Sequence, residues 1–139
     1  MQQEKVAILI KKTSLEFEKI SNPYFTEHEL TASQYKILKY LYAEPSGTAR
    51  VTDLEKYYSM THPTTLGLLE YLERKGFVER VENPNDGRGK LVALTVKANE
   101  MRDTLLSLGE IIEDKLTESL TKREKEQLIA LLLKLLNRG

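Results

Sequence analysis

Residues 76–95, GFVERVENPNDGRGKLVALT, place two short apolar runs on either side of a polar turn. The runs, 77 to 82 and 91 to 96, carry Phe77, Val78, Val81, Leu91, Val92, Leu94 and Val96, residue types that suit a half-buried pleated strand. Between them stand Asn83, Pro84, Asn85, Asp86, Gly87, Arg88, Gly89 and Lys90, a cluster that supplies turn geometry and little else. The stretch predicts a β-hairpin with a polar tip.

Immediately upstream the apolar spacing changes from strand-like to helical. Thr52 with Glu55 has the spacing of a reciprocal helix cap and opens a helix predicted over 53 to 59, with Leu54 and Tyr58 inward. Ser59 to Thr61 forms a break. Pro63 then suits the first turn of a second helix, whose buried face runs through Leu66, Leu69 and Leu72 to a stop at Gly76. Two helices meeting across so few residues make a helix-turn-helix, and the hairpin follows it directly.

Further out the chain is helical. Val6, Leu9, Ile10, Phe17 and Ile20 predict an amphipathic helix from 3 to about 21, stopped by Asn22 and Pro23 because proline disfavours helical geometry in the residue before it. Thr31 with Gln34 caps a helix over 32 to 44, and Thr121 with Glu124 caps another over 122 to 137. A long helix over 97 to 119 carries Leu105, Leu108, Ile112 and Leu116 at three- and four-residue steps. The order is helix, helix, helix-turn-helix, hairpin, helix, helix. It predicts a mainly α chain with a small β-hairpin wing, an α+β winged helix-turn-helix with flanking helices. All 139 residues form one unit, with about 31–97 as the winged part and about 1–21 and 98–139 as dimerisation helices. The last helix, with LIALLLKLL over 128–136, is apolar around more of its circumference than a surface helix leaves exposed, so a homodimer is expected to cover it.

Composition narrows the function. With no cysteine, a disulfide scaffold, a thiolate metal site, a cysteine nucleophile and a thiol redox sensor are all excluded. His28 and His62 are the only imidazoles and lie far apart in the chain, so no metal is expected. No nucleophile elbow or phosphate-binding glycine loop is present; an enzyme is not expected, nor is a cofactor. No signal segment or membrane span is read, which predicts a cytoplasmic protein. Twenty-one basic residues balance 21 acidic ones, against the basic footprint common in nucleic-acid binders. Affinity for DNA depends on where cations sit rather than on their total.

Gly76-Phe77-Val78-Glu79-Arg80, then Asn83 through Gly89, then Leu94-Thr95, resemble the wing of the MarR (multiple-antibiotic-resistance regulator) family, and the element order matches over nearly the whole chain. The family pattern of Asp-x-Arg, a five-residue gap and Leu-Thr is met by Asp86, Arg88, Leu94 and Thr95. The resemblance implies a double-stranded DNA-binding transcription regulator, a repressor acting as a homodimer and released by a small-molecule effector. It implies that Arg88 enters the minor groove while Asp86 holds the wing, a division suited to an arginine at a hairpin tip. The helix from 61 to 75 becomes the recognition helix, with Thr61, His62, Thr64 and Thr65 as exposed residues able to reach phosphates or base edges. Thr61 also suits a helix cap, and His62 also suits a merely solvated surface. Lys56, Lys90 and Arg50 flank this face as candidate phosphate contacts.

One departure stands out: Gly67 occupies a position where many members of the family have an arginine aimed at the groove, so a bidentate guanine contact is missing. Residues 46 to 97 hold eight basic and seven acidic side chains. Both features leave open a second function, a winged-helix module that docks another protein. Tyr24, Tyr35, Tyr40 and Tyr71 are candidates for lining an effector cleft, with core packing as the alternative for each.

Overall fold

The computed structural model describes residues 4–85 and 89–137. Its first helix, α1 (Val6–Thr26), runs through Pro23 instead of stopping before it. Proline removes one backbone donor and crowds the preceding turn, a cost that tertiary packing offsets here. Ser21 and Phe25 are buried, and the Phe25 ring lies 4.6 Å from that of Tyr35. Just past the end of the helix the chain turns at Glu29, whose φ of 59° is left-handed; Leu30 N–H donates to the Phe25 carbonyl and Glu29 N–H to that of Thr26. This is a Schellman stop, and its two apolar partners, Phe25 and Leu30, both enter the core.

Helix α2 (Ala32–Ala43) begins at the expected Thr31 and Gln34 box, each side chain bonded to the other's backbone N–H. A two-residue strand, β1 (Thr48–Ala49), follows; too short to show alternation, it escapes sequence reading. Helix α3 (Val51–Tyr58) starts earlier than its expected Thr52 cap. Asp53, not Glu55, closes the first turn by accepting the Arg50 N–H at 3.2 Å, so Thr52 lies within the helix. Ser59, at φ 53°, stops α3, with Met60 N–H donating to the Glu55 carbonyl. Thr61 then caps α4 (His62–Arg74), its hydroxyl accepting from Thr64 N–H, and Pro63 sits in the first turn.

Gly76, at φ 80°, provides the stop after α4 that its lack of a Cβ allows, and Phe77 N–H reaches back to the Leu72 carbonyl. Strands β2 (Val78–Glu82) and β3 (Lys90–Leu94) form the expected hairpin, with Val78 opposite Leu94 and Glu82 opposite Lys90. The sheet has a third strand, in the order β1-β3-β2, with Thr48 opposite Ala93 and Ala49 opposite Val92.

The long helix expected from 97 is two: α5 (Val96–Glu100) and α6 (Arg102–Leu116), separated at Met101. The helical path continues across the joint, since Met101 N–H bonds Lys97 and Leu105 N–H bonds Met101. Thr95 is the cap. Its hydroxyl accepts from Ala98 N–H and donates to the Gly76 carbonyl at 2.6 Å, tying the end of α4 to the start of α5. The core joins Ile37, Leu38 and Leu41 of α2, Leu54 of α3, Leu69 and Leu72 of α4, Val92 of β3 and Leu105 of α6, all fully buried. α7 (Lys122–Leu136) opens at the expected Thr121 and Glu124 box and buries none of its residues. With α1 and Leu116 it forms an open apolar trough of about 650 Å³, lined by Val6, Leu9, Phe17, Leu128, Leu131 and Leu135.

Candidate nucleic-acid interface

The two faces of α4 divide its side chains. Leu69 and Leu72 hold the inner face in the core, and Thr65 is buried with them. The expectation that Thr65 is exposed is therefore corrected: its hydroxyl donates to the Thr61 carbonyl at 2.8 Å, which satisfies a polar group that packing removes from solvent. Spacing explains the difference, because Thr65 lies four residues before Leu69 and shares its face. Thr61, His62 and Thr64 are exposed at the N-terminal end of the helix, with Thr61 Oγ1 and Thr64 Oγ1 2.9 Å apart. Gly67 lies one turn further along the same outer face, and a Cβ built there meets nothing within 4 Å. Packing within the protein does not account for this glycine.

His62 is not a free side chain. Its Nδ1 lies 2.6 Å from Glu55 Oε1, so the last part of α3 reaches across the turn to the first residue of α4. Glu55 was visible in the sequence only as a capping partner; its spacing to His62 carries no recognisable pattern. Around this face Arg50, which precedes α3, and Lys56, on it, are exposed. Lys90 is exposed at the first residue of β3, directly across the ladder from Glu82. Asp86 and Arg88, the two wing-tip candidates, lie outside the described residues.

A second concavity, about 420 Å³, opens between α1, α2 and α6. Phe17, Phe25, Tyr35 and Ile112 give it apolar walls, and its two lysines, Lys36 and Lys39, are balanced by two carboxylates, Glu18 and Glu113. Of the four candidate tyrosines only Tyr35 lines it. Tyr71 instead donates its hydroxyl to the Glu29 carbonyl, and Tyr40 packs edge-on against Tyr57 at 5.2 Å; Tyr24 is half-buried against the core. Sequence reasoning missed a common use of these rings: Tyr35 donates to Leu105 O, Tyr42 to Ala98 O and Tyr58 to Lys36 O, each joining one element to the backbone of another. Burial pushes the Tyr42 and Tyr58 hydroxyls up to about 12. Among the described residues no group of three or more His, Cys, Asp or Glu is arranged to hold a metal ion, and no helix is long and apolar enough to cross a membrane.

A family model described as MarR family matches residues 28–89, the helix-turn-helix and the beginning of the wing. The multiple antibiotic resistance protein MarR of Escherichia coli is 33% identical over 129 residues, covering 92% of this chain and 88% of the relative. The chain belongs to the MarR family. Among solved structures of the family, a mutant Escherichia coli MarR complexed with operator DNA superposes with a TM-score of 0.84 at 31% identity, covering 94% of this chain and 93% of that one. The S. aureus MepR–DNA complex gives a TM-score of 0.86 at 28% identity, covering 96% and 98%. Membership in the MarR family makes the chain a transcriptional regulator of the winged-helix class, and the described helices and three-stranded sheet have that architecture.

Proposed function

We propose that this chain is a sequence-specific repressor that binds duplex DNA as a homodimer in the cytoplasm. The outward N-terminal end of α4 carries the proposal: Thr61, His62 and Thr64 stand exposed while the opposite face of the same helix is locked into the core. A rigid helix end that presents hydroxyls and an imidazole suits the major groove, where such groups meet base edges and phosphates. MarR-family relatives solved on DNA support the same reading.

The apolar trough of α1 and α7 supports the homodimer, since a second copy would take Leu128, Leu131 and Leu135 out of water. On this reading residues 31–97 form the DNA-binding part and the flanking helices the dimerisation part of one domain. The cleft between α1, α2 and α6 supports release by a small organic molecule, whose body the apolar walls of Phe17, Tyr35 and Ile112 would cover and whose polar groups the mixed rim of Lys36, Lys39, Glu18 and Glu113 would meet. Arg50, Lys56 and Lys90 serve as phosphate contacts, and Asp86 and Arg88 keep the roles implied by the wing pattern.

The balanced charge and the Glu82 carboxylate opposite Lys90 favour one other reading, a dimer that docks a protein and ignores DNA. Anisotropy titration of genomic and random duplexes across a salt series separates the two. A repressor binds a subset of genomic fragments far more tightly than random duplex, with affinity falling steeply as salt rises. Equal and weak binding to all duplexes overturns the proposal.

A further inference from the structure

We infer that Glu55 fixes the hydrogen-bonding polarity of His62, so that this histidine reads a base bearing an exocyclic amino group, adenine or cytosine, in the major groove. The inference rests on the operator-binding reading above and adds what one of its side chains specifies.

A carboxylate has lone pairs and no proton to give, so an imidazole nitrogen 2.6 Å from Glu55 Oε1 must carry the hydrogen of that bond. In the neutral ring this puts the proton on Nδ1 and leaves Nε2 a bare acceptor. The two side chains differ in burial: that of Glu55 is 19% exposed and that of His62 63% exposed. The carboxylate is therefore the fixed partner, on a helix whose end is also held by Met60 N–H bonding the Glu55 carbonyl. The ring is the member that faces outward. Among the described residues Nε2 forms no hydrogen bond, so its acceptor is available to a ligand.

The major groove offers adenine N6 and cytosine N4 as donors, against the acceptors of guanine and the O4 of thymine. A bare Nε2 complements the first pair and opposes the second. It also opposes phosphate oxygens, which only accept. The pairing thus argues against a backbone contact for neutral His62 and in favour of base reading. The contact sits on the outward end of α4 with its carboxylate largely covered, so it orients the ring toward a ligand more than it holds the fold.

The test combines selection from a random duplex library in mildly alkaline buffer with nitrogen NMR of the His62 ring in the DNA-free protein. Wild type is expected to enrich a motif with one position per half-site where adenine or cytosine is preferred about tenfold. His62→Ala removes that preference and leaves the other positions intact. Glu55→Ala flattens it, and the ring spectrum shifts from the Nδ1–H form toward the Nε2–H form; Glu55→Gln, whose amide oxygen still accepts from Nδ1–H, keeps the preference and shows that the alanine result is not a folding defect. A motif unchanged in His62→Ala overturns this inference alone, as does a uniform loss of affinity with every base preference retained, which marks a phosphate contact. A wild-type ring in the Nε2–H form, or a folded Glu55→Ala variant that reads like wild type, overturns the role of Glu55. A wild type that enriches no motif overturns the operator reading and this inference with it.

Discussion

The Tyr35 hydroxyl occupies the space that a side chain at position 109 would need: a Cβ built on Gly109 falls 2.6 Å from Tyr35 Oη. The hydroxyl crosses the bare backbone of α6 to donate to the Leu105 carbonyl at 2.8 Å. Glycine in a helix interior costs about 1 kcal/mol relative to alanine, and here close approach of a buried ring accounts for its use.

Gly109→Ala is therefore expected to destabilise the fold by about 1–3 kcal/mol, the usual range for overpacking a fitted core. Tyr35→Phe alone loses about 1 kcal/mol with its buried hydrogen bond. In the double variant the nearest ring atom lies at 3.5 Å, an ordinary van der Waals contact free of the hydroxyl clash. Urea denaturation should show the pair to be less destabilising than the two changes added; strict additivity would falsify the contact.

Alkaline pH provides a second check. Tyr42 and Tyr58 hold their protons to about 12 in the folded chain, whereas an unfolded tyrosine releases its proton near 10. The native state thus binds more protons than the unfolded state between those values, and stability falls as pH rises through that window. Below about pH 10 the contribution of both groups is complete. Thermal melts from pH 9 to 12 should decline, and Tyr42→Phe with Tyr58→Phe should flatten the decline. A slope unchanged by both substitutions contradicts the assignment.

Gly67→Ala should raise the melting temperature, because α4 gains about 1 kcal/mol of helix propensity and the new methyl meets no protein atom. Duplex affinity is expected to stay within a few-fold. A loss of tenfold or more, with the higher melting temperature retained, would mean that DNA approaches the backbone closely at this glycine.

Leu131→Glu combined with Leu135→Glu places two charges in the α1–α7 trough. Sedimentation at micromolar concentration should show wild type as a dimer and the variant as monomeric or unfolded. A wild type that sediments as a stable folded monomer sinks the dimer proposal.

Most of the fold was legible because its signals are local. Thr31, Thr61 and Thr121 cap helices through neighbours three residues on, and Gly76 stops one by its backbone freedom. Pro23 misled because a local rule was overridden by the distant packing of Phe25 on Tyr35. β1 escaped because its two residues gain their identity only from pairing with β3. In the candidate site, Thr61, His62 and Thr64 were read as exposed from their place in the helix. Thr65 was not separated from them because its burial follows from the side of α4 that meets the core. The contacts of Glu55 with His62 and of Tyr35 with Gly109 join elements whose spacing in the chain carries no motif.

The two-residue β1 has a mechanical effect out of proportion to its length. It laces Val92 and Ala93 of β3, one arm of the wing, to the chain just ahead of α3, while Thr95, two residues further on, ties the same end of the arm to Gly76. The base of the wing is thus held twice to the helix pair beside it, once ahead of α3 and once behind α4. In the proposed dimer each winged unit would then act as a calliper with one fixed opening between α4 and its hairpin. A duplex whose adjacent grooves are spaced otherwise would be rejected by shape before any base is inspected, and adjustment to an operator would be left to movement between the two callipers.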